Sequence, residues 1–409
     1  MNVTIVGVFG TRNRGLAALI NPIVHYVHNF FDKPAITVMS KSADYDRTTI
    51  DSRANVVPDH ISGRGGSMIS RIADVSTAGL RFLPQRFREA ALPLTTADVA
   101  IATGGDIFSS DYRSNMRDLI PLQLARSCKV PYVFLAQSIG PFKSKGEANA
   151  WKEIAKGSLL ITIRESLSYE YVVEELGMDE RQVKLTADPA FLLEIPPSPI
   201  IDRLLAQYRV AQGIPVIAIA PSAAISHHAE RDADRHHHAL HTTIQTFLDR
   251  TEAHILLIPH VQHATVRGDD RALATALHRS HQYDPRISVV GGEHTAAELK
   301  GIISRCSFLV AERLHAGIAG LSSEVPTVVI GFSVKADGIV GDIYRGEKIP
   351  VIGIRRLIEE TSVPDELFEF WNNRNALRST LHAKLPEVKL LAVSNFEYLK
   401  SYLQSKPNG

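Results

Sequence analysis

Short runs of Val, Ile, Leu and Ala, bounded by Gly, Pro or Asp, alternate along the chain with longer stretches whose apolar residues recur every three or four positions. Runs of the first kind suit strands buried on both faces, and stretches of the second kind suit amphipathic helices. Their alternation marks parallel strands joined by crossover helices. The pattern predicts strands at Val3–Val8, Ala35–Val38, Val99–Ala102, Tyr132–Ala136, Leu160–Ile163 and Val183–Leu185, with helices over Ala17–Phe30, Arg113–Ser127, Ala148–Lys156 and Ser166–Leu176. A second series follows, with strands at Val216–Ala220, His254–Ile258, Ile287–Val290, Phe308–Ala311 and Thr327–Ile330. The expected fold class is α/β, with two Rossmann-like doubly wound domains facing a central cleft. Neither a helix nor a central strand tolerates Pro196, Pro197 and Pro199, so the boundary is expected near Pro196. The expected units are 1–195, 196–385 and a terminal helical segment 386–409, the last packing back across one or both halves.

Composition narrows the class. At roughly 150 residues per domain, 409 residues make two or three compact units. The 45 Lys plus Arg against 44 Asp plus Glu leave a net charge of +1, which argues against a nucleic-acid partner. No stretch approaches about 18 consecutive apolar residues, and the opening MNVTIVGVFG reads as a strand rather than an export signal. A cytoplasmic address is expected, with room for peripheral association at the inner face of the membrane. Two cysteines, Cys128 and Cys306, suit packing in a reducing compartment rather than a disulfide framework.

Doubly wound sheets bind ligands beyond the carboxyl ends of their strands, so chemistry is sought there. The first strand runs into Gly10-Thr-Arg-Asn13-Arg-Gly15-Leu16, a turn able to present backbone N–H groups to an anion or sugar hydroxyl, or simply to lead into a helix. After the Val99 strand come Gly104, Gly105 and Asp106, then Asp111; the two acids can orient hydroxyls, act as a base, or cap the next helix. Gln137 and Ser138 precede a Gly140-Pro141 turn. Arg164 follows a buried strand, where its fork can bind a carboxylate or phosphate or pair with an acid. Asp188 precedes Pro189, where its role is a contact or a purely conformational one. Arg313 and His315, two positions apart at a helix start, combine a fixed cation with a proton donor and form the strongest catalytic pairing in the chain. Ser333 and Lys335 end another strand and suit an anionic oxygen, and His260 suits substrate contact. Of 17 histidines, six crowd positions 227–241. They lack HExxH spacing and a carboxylate partner, so a solvated loop is expected there and no metal.

Taken in order, Asn13-x-Gly15, Gly104-Gly105-Asp106, Gln137-Ser-Ile-Gly-Pro-Phe142, Arg164-Glu-Ser166, Asp188-Pro-Ala190, Arg313-Leu-His315 and Pro326 through Lys335 resemble the polysaccharide pyruvyl transferase family. The resemblance implies a GT-B-like pair of domains and transfer of a pyruvyl group from phosphoenolpyruvate to a sugar, forming a ketal on a surface polysaccharide or its lipid-linked precursor. Catalysis then falls to His315, Arg313 and Arg164, and donor binding to Arg164, Arg313, Lys335 and Ser333. The acceptor or cleft side would hold Asn13, Gly15, Gly104, Gly105, Asp106, Asp111, Gln137, Ser138, Asp188 and His260, and neither metal nor cofactor is implied. Leu16 departs from the family's NxGDxA, which carries an acid at that position; if that acid positions the acceptor or serves as base, the resemblance implies either that another residue, such as Asp106 or Asp111, takes its role or that the acceptor differs. A GT-B glycosyltransferase using a nucleotide-sugar, or a non-catalytic glycan-binding protein, would share the same architecture.

Overall fold

A computed structural model describes residues 1–62, 85–109, 117–210, 213–225, 232–262, 268–345 and 348–405. Two parallel sheets organise them. The first contains β1 (Asn2–Val8), β2 (Ala35–Ser40), β3 (Ala54–Pro58), β4 (Val99–Ala102), β5 (Gly105–Phe108), β6 (Tyr132–Ile139), β7 (Leu160–Ile163) and β8 (Val183–Leu185), in the order β3-β2-β1-β4-β6-β7-β8 with β5 paired beside β6. The second contains β9 (Val216–Ala220), β10 (His254–Leu257), β11 (Ile287–Val289), β12 (Phe308–Ala311), β13 (Thr327–Gly331) and β14 (Val351–Gly353), in the order β11-β10-β9-β12-β13-β14. Each is a doubly wound, Rossmann-like sheet, as the apolar runs require: strands such as β4, β7, β9 and β12 are buried at every position.

Strand order reverses between β1 and β4 in one sheet and between β9 and β12 in the other. Loops leaving neighbouring strands in opposite directions open a crevice at such a point. Asn13, Gly15, Gly104, Arg313 and His315 all follow these four strands, so their placement is topological.

The chain divides into two compact units. One comprises Met1–Thr11, Leu19–Pro189 and Lys389–Gly409; the other comprises Arg12–Ala18 and Ala190–Val388. The division falls between Pro189 and Ala190, ahead of the proline-rich stretch near Pro196. That stretch sits in the second unit because the following helix, Ser198–Gln207, packs Ile201 against Gly301. The segment Arg12–Ala18 also belongs to the second unit, through an antiparallel bridge between Asn13 and Val261. The terminal helix, Arg374–Gln404, carries Pro386 inside it, and the unit division comes two residues later, after Val388. Its last third is tied to the first unit by Asn395, whose amide accepts from Thr162 and Thr186 and donates to the Ala187 carbonyl at 2.8 Å.

Three strands carried too little signal to be expected: β3, β5 and β14. Gly105–Phe108 reads as a loop by composition, yet it pairs with β6. The segment expected to be helical over Ser166–Leu176 is α-helical only for Ser166–Glu170 and continues as a π-turn over Tyr171–Glu175. Of the helix expected over Arg113–Ser127, the described residues begin at 117: residues 117–119 form a turn and Ile120–Ser127 is helical. Among the described residues no helix is long and apolar enough to cross a membrane.

Candidate functional site

In the second unit, β12 ends at Ala311 and delivers Glu312, Arg313 and the helix Leu314–Leu321 in succession. Glu312 is buried and spans the switch point, accepting from the Ser222 N–H at 2.7 Å and approaching His236 Nε2 at 2.7 Å. Burial alone would lower the His236 pKa, but the Glu312 charge and hydrogen bond outweigh it and raise it. Arg313 grips the fully buried Asp270 with both arms, Nε at 2.9 Å and Nη2 at 2.6 Å. Asp270 in turn accepts from the backbone N–H groups of Ala223 and Val261, each at 2.9 Å. The loops after β9, β10 and β12 are thereby locked together, and the Arg313 charge is balanced within the protein.

His315 is the second residue of its helix, half-buried, with Nε2 shielded from solvent. It packs against Gly15: a Cβ at position 15 would lie 2.7 Å from His315 Nδ1, 2.9 Å from Cγ and 3.0 Å from Cβ. Only glycine admits this approach. Asn13 supports the turn by accepting from the Gly15 N–H at 3.0 Å, and Arg14 donates its backbone N–H to the His260 carbonyl at 3.0 Å. His260 is buried and its Nδ1–H donates to the Ile258 carbonyl at 3.0 Å, leaving Nε2 as an acceptor. Burial pushes its pKa down to about 4, so the ring is neutral at physiological pH. One narrow pocket is bounded by Arg14, Lys300, His260 and His315 together with four alanines and Leu193. Asn13, Gly15, His260 and His315, expected from sequence, thus meet. Arg14 and Lys300 were missed there. Lys300 carried a usable signal, since it falls on the buried face of its helix with Ala296 and Ile303. Ser333 caps the start of the helix Val334–Ile343 without a side-chain bond to it, and Lys335 is buried near the Phe332 ring.

In the first unit, Gln137, Ser138, Arg164 and Asp188 converge. A bulge in β6, with Ala136 at φ 50, shifts the register against β7 and re-aims the two residues that follow it. Gln137 then donates to the carbonyls of Ala102, at 3.2 Å, and Thr103. Arg164 donates from Nε to Ser138 Oγ at 2.8 Å and from Nη1 to Asp188 at 2.5 Å, both charged side chains being wholly buried. An anion reaching Arg164 has to share the guanidinium with Asp188. Beside it, burial raises the pKa of Glu165, whose carboxylate accepts from the Ser168 N–H. Gly104 is where it is because a Cβ there would lie 2.7 Å from the Ala136 carbonyl oxygen. Asp106 is half-buried on β5, and Asp111 lies outside the described residues.

The histidine-rich stretch departs from expectation. His236, His237, His238 and His241 lie in the helix Ala233–Arg250 rather than a loop, started by Asp232 capping the Arg235 N–H. His236 has the carboxylate partner that spacing alone did not reveal, and His241 stacks on His281 at 4.0 Å. His227 and His228 lie outside the described residues. Among the described residues, no group of three His, Cys, Asp or Glu side chains is arranged to hold a metal ion.

Comparison with known proteins adds a family and a fold. A family model described as polysaccharide pyruvyl transferase matches residues 13–333. The amylovoran biosynthesis protein AmsJ of Erwinia amylovora is 22% identical over 369 residues, covering 83% of this chain and 85% of that protein. Among solved structures, S. aureus MnaA with UDP is similar at a TM-score of 0.63 and 10% identity, covering 99% of this chain and 98% of that one. HepE of Anabaena, in complex with UDP and glucose, is similar at a TM-score of 0.61 and 11% identity, covering 99% and 100%. At such identity these likenesses concern the fold, two Rossmann-like domains of the GT-B type.

Proposed function

Because this chain belongs to the polysaccharide pyruvyl transferase family, we propose that it transfers the pyruvyl group of phosphoenolpyruvate to sugar hydroxyls of a surface polysaccharide or its lipid-linked precursor, forming a pyruvate ketal. The observation that carries this reading is the packing of His315 against Gly15. Two family motifs at opposite ends of the matched region meet there, beside the His315 imidazole.

In this reading His315 gives its proton to the methylene carbon of the donor while a sugar hydroxyl adds at C2. The resulting tetrahedral carbon expels phosphate, and a second hydroxyl of the same sugar closes the ketal. Of the two hydroxyl protons released, one returns to His315 and the other leaves with phosphate, so the cycle closes. Lys335 with Ser333 supplies the fixed charge and hydrogen bonds that the donor's anionic groups need, and Arg313, oriented by Asp270, adds N–H donors. His260, neutral with an acceptor nitrogen, suits a hydrogen bond from an acceptor hydroxyl.

The test is incubation of the purified protein with phosphoenolpyruvate and a panel of lipid-linked or nitrophenyl glycosides, following phosphate release and product mass. His315→Gln is expected to lower kcat by about 100-fold to 10,000-fold while leaving Tm unchanged. Undiminished transfer in that variant would defeat the assignment. Thermal stabilisation by a nucleoside diphosphate and not by phosphoenolpyruvate would make the protein a nucleotide-sugar glycosyltransferase instead.

A further inference from the structure

The helix that carries His315, Leu314–Leu321, is short, and no side chain caps its start. The strand-to-helix turn is therefore fixed from outside, through the two residues that precede Leu314. Arg313 is gripped by Asp270, and those two charges cancel. Glu312 is the second grip, its side chain wholly buried. One carboxylate oxygen accepts the Ser222 N–H at 2.7 Å, and the other faces His236 Nε2 at 2.7 Å. A neutral imidazole would leave the Glu312 charge uncompensated in the interior, whereas an imidazolium cancels it. Burial alone would strip the His236 proton, but the facing carboxylate holds it on above the ordinary 6.5. Other charges around His236 are engaged elsewhere. On its own helix, Asp232 caps the Arg235 N–H, while Asp234 and Arg235 are exposed and His237 is half-buried. On the adjoining helix Asp270–Ser280, Asp270 is paired with Arg313, and past its end His281 stacks on His241 at 4.0 Å. On the helices Val363–Asn372 and Ile354–Glu359, Asp365 pairs with Arg250 at 2.6 Å, and Arg356 pairs with Glu360 and Glu366.

We propose that His236, as the imidazolium, is a positioning residue: it clamps Glu312, fixes the turn that aims His315, and lets that turn slacken when it gives up its proton. On the pyruvyl-transfer reading, on which this role rests, the ring so aimed is the one that protonates the donor. His236 acts through Glu312 and needs no contact with the donor. Because Glu312 makes the folded protein hold this proton more tightly than the unfolded chain, the clamp is whole below about pH 6.5 and is lost as pH rises past the folded value. Arg313 keeps its Asp270 anchor throughout, so the loss falls on the orientation of His315, in kcat rather than KM.

The experiment is a pH titration of the histidine ring resonances of the full chain, for wild type, His236→Gln, Glu312→Gln and the double variant. It is paired with phosphate release from phosphoenolpyruvate and a glycoside acceptor over the same range. Wild-type His236 should keep its proton above pH 6.5, and the His315 resonance should move as that proton leaves. In Glu312→Gln, where burial acts without a counter-charge, His236 should titrate below 6.5. His236→Gln should lower kcat about 10-fold to 100-fold with KM for phosphoenolpyruvate unchanged, and remove one ionisation from the alkaline side of the rate profile. Should that variant fail to fold, the double variant is read in its place: two amides keep the hydrogen bond without the charges, and its profile should lack the same ionisation. Titration of wild-type His236 at or below 6.5 would overturn the clamp, as would a His315 resonance indifferent to His236, or wild-type kcat and profile in His236→Gln. Coupled His236 and His315 titrations in a protein that releases no phosphate from phosphoenolpyruvate would keep the clamp and defeat the pyruvyl-transfer reading alone.

Discussion

Gly15→Ala tests the contact on which the site depends. An added Cβ would lie 2.7 Å from His315 Nδ1, 2.9 Å from Cγ and 3.0 Å from Cβ, whereas ordinary contact begins near 3.4 Å. Turning the ring about its Cβ–Cγ bond relieves only the first of these, because Cβ itself is too near. The imidazole or the Gly15 turn must therefore retreat by about 0.7 Å, a displacement for which catalysis is far less tolerant than folding. Overpacking costs about 1–3 kcal/mol, against which alanine in a first helical turn recovers up to about 1 kcal/mol relative to glycine. Stability should thus fall by no more than about 3 kcal/mol, while kcat/KM for pyruvyl transfer drops about 10-fold to 100-fold. The assay pairs urea unfolding with phosphate release at saturating acceptor. Gly353→Ala is the matched control, since a Cβ there meets nothing within 4 Å. Unchanged kcat/KM in a folded Gly15→Ala protein would refute the reasoning, as would an equal loss in the control.

Two further outcomes follow from buried charge. His260 titrates in the folded protein near 4 rather than at its ordinary 6.5 because burial disfavours its charged form. The unfolded chain then binds the proton more tightly, so this contribution is whole above about pH 6.5 and is lost as pH falls toward 4, about 3 kcal/mol in all. Urea unfolding of wild type and His260→Asn at several pH values across that window checks it; a wild-type slope equal to the variant's would contradict it. In the first unit, Asp188→Asn leaves the Arg164 guanidinium buried without its counter-charge and should cost about 3–5 kcal/mol, as should Arg164→Met, while the double variant loses less than the sum. Single losses below about 1 kcal/mol would mean that the pair is solvated in solution.

Strands such as Val99–Ala102 and Phe308–Ala311 were legible because burial on both faces leaves an unbroken apolar run bounded by turn residues. Strand β5 was not, because Gly105 and Asp106 carry loop chemistry and only pairing with β6 makes them a strand. The polar residues beyond each strand were found by the same rule that places ligands at carboxyl ends. Their partners were not: that Arg164 answers to Asp188, Arg313 to Asp270 and His236 to Glu312 depends on which loops lie side by side. Arg14 was passed over as the variable position of a turn, and nothing in Asn13-Arg14-Gly15 states that its side chain is 2% exposed.

Periodicity and composition were enough for the two α/β halves, the parallel sheets and the candidates past each strand, since these follow from which residues can be withdrawn from water in a repeating backbone. Tertiary structure alone decided that Arg12–Ala18 joins the second unit, that Gly15 meets His315, and that two cations share one small pocket. Such facts belong to contacts between segments hundreds of residues apart, where energy depends on distance and burial rather than on order along the chain.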